Sequence, residues 1–170
     1  MNPPILKTER LVFHPFTPDD LSLLIELHAD PEVQRHLGGA WGPADVQRRL
    51  DHYVREHAQK GYSKWKVSRP DGSFVGRAGL ADWPHTGEVE LGYVFRRETW
   101  GEGLATEAAQ ALCAWGFVHL PIDHLIGFTD PANLGSRRVL EKIGMRFLGL
   151  REIGAPTLSA LYRLDRPEAG

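Results

Sequence analysis

Cysteine is nearly absent from this chain, which has one, Cys113, in 170 residues. A lone thiol makes no intramolecular disulfide, so packing must hold the fold and the expected setting is cytoplasmic. Charge of one sign is also lacking: 20 Lys and Arg against 22 Asp and Glu leave a formal net charge of −2. That gives no electrostatic ground for nucleic-acid or anionic-membrane partners. Long apolar runs are missing too. His119 and Pro121 cut the stretch "ALCAWGFVHLPI" well short of a bilayer's thickness, and the opening "MNPPILKTER" has no apolar signal core. There is no HExxH and no Cys/His cluster, and His52 and His57 stand five apart, off one helical face, so no metal is expected. No G-x-S-x-G or Cys/His signature points to a hydrolase.

What remains is ordinary for one globular domain over residues 1–170, with 42% hydrophobic and 25% charged residues and no repeat or linker. "RLVFHPF" reads as a first strand. "TPDD" starts a helix, with Thr17 as N-cap and Pro18 in the first turn, and Leu21, Leu24, Ile25 and His28 recur at helical spacing. "HADPEVQRHLGGAWGP" is a broken connection, and a second helix runs from Pro43 to about Gln59. The grammar then changes to period two. "YSKWKVS", the turn "RPDG", "SFVGRAGLADW" and "VELGYVF" form an antiparallel series. A long helix follows, with a stripe of Leu104, Ala108, Ala111, Leu112, Trp115 and Val118. "HLIGFTD" is an apolar strand, "ANLGSRRVLEKIGM" a helix closed by Gly144, and "RFLGLREI" and "TLSALYRL" a closing strand pair. The order is α/β (α+β), mostly antiparallel with one parallel junction, and is not a doubly wound dinucleotide fold.

The handover from strand to helix in "YVFRRETWGEGLATEAAQALCAWGF" holds Gly101 and Gly103. A helix N-terminus offers unpaired N–H groups and positive partial charge, and glycines let an anion approach the backbone. Two glycines alone are explained better by a tight turn. No third Gly or Ala stands at Thr106 and no Gly-Lys-Ser/Thr follows, so neither a dinucleotide fingerprint nor a P-loop is present.

Longer motifs tip the balance. "WGEGLATEA" resembles the pyrophosphate loop of the GNAT acetyltransferases, and "NLGSRRVLEKIGM" resembles the helix that follows in that family. "TERLVFHPFTPDDLSLLIELHADPEVQRHLGG" and "VELGYVFRRETWGEG" resemble its branch of ribosomal-protein N-terminal acetyltransferases and small-molecule relatives. The resemblance spans residues 7 to about 148. It implies a mixed sheet of six to seven strands, splayed between the fourth and fifth, flanked by about four helices. It further implies acetyl-CoA as co-substrate, with no metal and no acyl-enzyme. Tyr93, Val94 and Phe95 would pair with pantetheine, and Trp100, Gly101, Glu102, Gly103, Leu104, Ala105 and Thr106 would hold the pyrophosphate. Asn133 and Ser136 would meet the pantetheine and thiol. Asn133 reads equally well as a plain N-cap. Two positions depart from the pattern: Glu98 replaces a Gln or Arg, and Leu140 replaces the tyrosine general acid of many members.

Ser136, on a face with Val139, Leu140 and Ile143, needs a polar partner, and a CoA sulfur or pantetheine amide would serve. Glu90 is the candidate base, with a solvated charge or an ion pair with an arginine as its plain alternative, and the resemblance implies an oxyanion donor from the backbone around Leu91–Tyr93. His36, Trp41, Trp83 and His85 lie in or beside irregular segments that, by the resemblance, form the acceptor pocket, and Trp41, Trp83 and His85 read equally well as loop packing. The activity expected is direct transfer of acetyl to a primary amine, a protein N-terminus or a small molecule, by a monomer or homodimer. A GNAT-fold acyl-CoA sensor without turnover is the alternative. Cys113 reads as core.

Overall fold

The computed structural model describes residues 3–153 and 157–169. The first strand of the sequence reading resolves into two short pieces, β1 (Leu6–Lys7) and β2 (Val12–His14). Thr17 and Asp20 close a capping box around a 3-10 turn, Pro18–Asp20, that leads into α1 (Leu21–Ala29). The broken connection contains one short helix, α2 (Pro31–Gln34), capped by Asp30, whose side chain accepts from Glu32 N at 2.9 Å. α3 (Pro43–Lys60) carries Val46, Leu50 and Tyr53 inward and stops at Gly61, whose φ of +82° is a left-handed cap.

β3 (Lys64–Ser68), β4 (Phe74–Asp82) and β5 (Val89–Phe95) form an antiparallel meander. The turn before β4 closes as its Pro and Gly require: Gly72, at φ +91°, donates its N–H to Arg69 O at 2.9 Å. α4 (Leu104–His119) returns the chain to β6 (His124–Thr129), which lies parallel to β5. α5 (Leu134–Lys142), β7 (Arg146–Glu152) and β8 (Leu158–Asp165) complete the order. The sheet has eight strands, ordered β1-β2-β3-β4-β5-β6-β8-β7, so β8 lies between its hairpin partner and β6. The eighth strand and the fifth helix, one of each beyond the elements read from the sequence, come from splitting the first strand and from the short α2.

Residues paired across antiparallel strands share a face. Trp65, Ala78, Leu80, Leu91 and Tyr93 look toward α4 and α5, in a core with Leu104, Leu112, Leu125 and Leu140. Lys64, Arg77, Glu90, Gly92 and Val94 look toward α1 and α3, where a second core joins Phe16, Leu24, Leu27, Leu50 and Tyr53. The α4 stripe is rotated from the expected one: Ala109, Cys113 and Gly116 are buried, whereas Val118 is 78% exposed. Gly116 is chosen for space, since a Cβ there would stand 2.8 Å from Leu80 Cδ1. Cys113 packs in this core, and burial pushes its thiol up to about 12, which leaves it un-ionised and unreactive.

Gly79 is the tightest point of the meander. An added Cβ would lie 2.0 Å from Ser63 O and 2.8 Å from Lys64 Cα, both backbone atoms that cannot swing aside. Gly79→Ala is therefore expected to destabilise by about 1–3 kcal/mol or more. Urea unfolding checks this as a lowered midpoint at unchanged slope.

Candidate active site

The parallel pairing of β5 with β6 is confined to Glu90 opposite Ile126 and Leu91 opposite Gly127. From Gly92 to Phe95, β5 keeps β4 as its partner on one side and has none on the other, so the strands part into an open cleft. Phe128 and Thr129 of β6 and Asn133 and Ser136 of α5 line its opposite wall. The expected splay between the fourth and fifth strands is this one; the split first strand shifts the count by one. Unpaired strand edges carry unsatisfied N–H and C=O groups that suit an extended amide chain.

At one end of the cleft the chain passes from β5 through a 3-10 turn, Arg97–Thr99, into the glycine loop. Gly101 and Gly103 both have φ +81°, a conformation L side chains rarely adopt, and around Gly101 the space is open. The first backbone bond of α4 is Glu107 N to Gly103 O at 3.1 Å, so the N–H groups of Leu104, Ala105 and Thr106 have no helical acceptor. Arg10 braces this end from outside: Nε donates to Glu107 Oε1 at 2.8 Å and Nη1 to Glu102 O at 2.8 Å. Arg69 holds the Glu102 carboxylate at 3.0 Å, which turns that side chain away from the cleft. Glu102 is thus the one loop residue among Trp100 to Thr106 missing from the lining.

Two polar pairs occupy the middle. On the α5 side, Tyr93 Oη lies 3.0 Å from Ser136 Oγ and 3.3 Å from Ser136 O. Burial raises the Tyr93 phenol to about 12, so it stays protonated as a donor. Ser136 therefore has a protein partner, which sequence reasoning looked for in the cofactor. Asn133 caps α5, its Oδ1 accepting from Ser136 N at 3.1 Å, so the plain reading of that residue holds while it also lines the cleft. Leu140, where a tyrosine acid is absent, is buried core. On the other face, Lys64 Nζ meets Glu90 Oε2 at 3.1 Å, with the two side chains 9% and 14% exposed. Glu90 is thus ion-paired as its alternative reading required, with a lysine in place of the expected arginine. Gly92 makes room for this pair, since a Cβ there would stand 2.6 Å from Lys64 Nζ and 2.7 Å from Glu90 Oε1.

At the far end, sequence reasoning missed a cluster that the fold assembles. His28 Nδ1 lies 2.6 Å from Gln34 Oε1, and its Nε2 accepts from Arg77 Nε at 3.3 Å. Burial and the neighbouring Arg77 charge depress this imidazole to about 4. The His28 ring packs on Trp41 with centroids 4.3 Å apart, and Arg49 lies 3.5 Å above the Trp41 ring. Arg77 was legible as a charge in the middle of the apolar strand "SFVGRAGLADW", a position that calls for a reason. His36 also lines the cleft, with Nδ1 2.9 Å from Asp130 Oδ2, and Trp83 packs edge-on against Phe128 at 4.8 Å. His85 does not reach the lining; it is exposed and tilted against Trp83 at 5.2 Å. Among the described residues, no group of three or more His, Cys, Asp or Glu is placed to hold a metal ion, and no helix is long and apolar enough to cross a membrane.

Comparison with known proteins matches residues 10–146 to the family described as Acetyltransferase (GNAT) domain. The Bacillus subtilis protein YkkB is 31% identical over 132 residues, which cover 76% of this chain and 77% of YkkB. The N-acetyltransferase YnaD of Bacillus subtilis, itself uncharacterized, is 28% identical over 144 residues, 83% of this chain and 82% of YnaD. The crystal structure of an Agrobacterium tumefaciens acetyltransferase superposes with a TM-score of 0.85 at 26% identity, covering 98% of this chain and 96% of that one.

The His28 cluster carries a pH prediction. The unfolded imidazole titrates near 6.5 and the folded one near 4, so between those values only the unfolded chain takes up the proton. Stability should fall as pH drops through that window, by up to about 1.4 kcal/mol per pH unit. Denaturant unfolding of the wild type and His28→Gln at pH 7.0, 5.5 and 4.5 should show the shallower decline in the variant.

Proposed function

Because the chain belongs to the GNAT acetyltransferase family, we propose that it transfers acetyl directly from acetyl-CoA to a primary amine in a ternary complex. The observation that carries this reading is the β5–β6 opening, with unpaired N–H groups at one end and two polar pairs at its centre. The residues fit the co-substrate. The N–H groups of Gly101 to Thr106 would take the pyrophosphate, the free edge Gly92–Phe95 the pantetheine amides, and Asn133 and Ser136 the thiol end. An N-acetyltransferase among the relatives supports an amine acceptor.

Each step then has an owner. The amine nitrogen attacks the thioester carbon, the carbonyl oxygen becomes an oxyanion, and backbone N–H groups near Leu91–Tyr93 would stabilise it. Glu90 would accept the proton lost by the nitrogen, directly or through a water, while Lys64 keeps the carboxylate in place. Collapse breaks the C–S bond and leaves a thiolate. A thiol titrates near ~8.5, so a phenol at about 12 does not surrender its proton to it. Tyr93 and Ser136 would instead donate hydrogen bonds to the leaving sulfur, and solvent or the acceptor's proton would neutralise it. This pair takes over from the tyrosine absent at Leu140. The acceptor ranges from a peptide α-amine, suggested by the resemblance to ribosomal-protein acetyltransferases, to a small molecule.

Calorimetric titration with acetyl-CoA, followed by free-thiol detection across a panel of amines, tests the reading; no binding of acetyl-CoA overturns it. Tight binding with no turnover on any amine favours the sensor alternative. Gly103→Val should abolish acetyl-CoA binding, since it strains a φ of +81° and adds bulk at the anion end. Tyr93→Phe and Ser136→Ala should each lower kcat by about tenfold or more with the acetyl-CoA Kd nearly unchanged. A shift in Kd without loss of kcat would make them binding residues. Glu90→Gln should lower kcat/KM by about a hundredfold or more; an unchanged kcat/KM would exclude it as the base.

A further inference from the structure

Arg77 is 7% exposed in mid-strand, and no carboxylate among the described residues lies within ion-pair distance of it. Charges that deeply placed normally have a counter-ion. Several acids on the α1–α3 side pair with other cations: Asp30 with Arg97 at 3.2 Å, Glu26 with Arg96 at 3.1 Å, Asp20 with Lys66 at 2.9 Å, and Asp45 with Arg48. Arg49 also lacks a carboxylate among the described residues, although it shares the Trp41 ring with Arg77, at 3.5 Å and 5.8 Å respectively. Asp45 and the Tyr53 hydroxyl act on the exposed Arg49 from its own helix, and cation–π contact offsets part of the cost of placing two guanidiniums on one indole. It does not use their hydrogen bonds.

The His28 arrangement sets which hydrogen bonds remain. With Gln34 Oε1 at Nδ1 and Arg77 Nε at Nε2, the imidazole is neutral and carries its proton on Nδ1. Arg77 Nε is thereby occupied and the guanidinium plane fixed, while neither Nη has a partner among the described residues. An orienting bond at Nε leaves the Nη pair as a fork, a geometry that suits a planar or tetrahedral oxyanion. Both arginines and Trp41 line the cleft.

We propose that Arg77 and Arg49 form an oxyanion subsite of the acceptor pocket, so that the acceptor is a small amine bearing a carboxylate or a phosphate-type group. This rests on the acetyl-transfer reading above. CoA's own pyrophosphate is not the occupant, because its loop opens α4, and α4 packs on the sheet face opposite Arg77. Arg77 stands across from Val94, two residues along β5 from Gly92 and on the same face as Glu90. Glu90 itself is four residues from Val94, about 13 Å of strand, and the Glu90 and Arg77 side chains extending from either end leave room for an amine and an oxyanion separated by several bonds. Glu90 would take the amine and the arginines the anion, fixing the nucleophile at both ends.

The test compares matched acceptors in the acetyl-CoA thiol-release assay: amino acids against their carboxamides, and aminoalkyl phosphonates against neutral alkylamines of equal length. Carboxylate or phosphonate amines should exceed their neutral partners in kcat/KM by at least about tenfold, and whichever anion leads identifies the source. Arg49→Gln, at the exposed rim, and Arg77→Lys, which keeps charge but loses the fork, should each shrink that ratio while turnover of the neutral partner persists. Equal or better turnover of neutral amines overturns the subsite and leaves acetyl transfer standing. Should no amine release thiol, the acetyl-transfer reading fails, and calorimetry with the anionic amines alone decides the subsite. Binding lost in Arg49→Gln supports it, and absence of binding overturns it.

Discussion

Everything at the centre of this protein depends on where β5 stops pairing with β6. Glu90 and Leu91 are in register with Ile126 and Gly127, and the next residue, Gly92, is not. The opening is held by structure on both sides. β5 is paired with β4 from Val89 to Phe95, and β6 with β8 from His124 to Thr129. Gly127 lets Leu140 and Met145 close under the junction, since a Cβ there would stand 3.2 Å from each. Each of the two strands is therefore satisfied on its far side, and beyond the junction the facing edges of β5 and β6 have no strand partner among the described residues. A cleft built in this way is formed before any ligand arrives, which spares the ligand the cost of ordering it.

The charges around the cleft are arranged along its length. Backbone N–H groups of the α4 start mark one end, neutral hydroxyls the α5 wall, and two arginines with a neutral histidine the α1–α3 side. This local positive character exists in a chain of net charge −2 because the acids are spent elsewhere, on Arg10, Arg69, Arg96, Arg97 and Lys66. Net charge measures solubility and long-range steering, and says little about one pocket.

Lys64 and Glu90 show how a single pair can serve fold and site together. They join β3 to β5 on the cleft face, across the bare backbone of Gly92 and Gly79. Removing one partner leaves the other charge nearly buried, a loss of the size that breaks structure as well as chemistry. That is why activity at this pair must be read beside stability.

By itself the sequence determined the elements and the loop. Period-two alternation marked β3, β4 and β5, the Thr17–Asp20 cap and the Pro43 start marked the early helices, and "WGEGLATEA" marked the loop of Gly101 and Gly103. These are local: hydrogen bonds, φ preferences and one buried face per element are set by neighbours in the chain. Tertiary structure alone decided the partners. Ser136 meets Tyr93 across 43 positions, Lys64 meets Glu90 across 26, and Arg77 meets His28 across 49. The rotation of the α4 stripe that exposes Val118 and the exclusion of His85 and Glu102 from the cleft were likewise fixed only by packing. Periodicity tells which face of a strand a side chain takes; which distant side chain waits there depends on sheet order and register, and those are settled when the whole chain has folded.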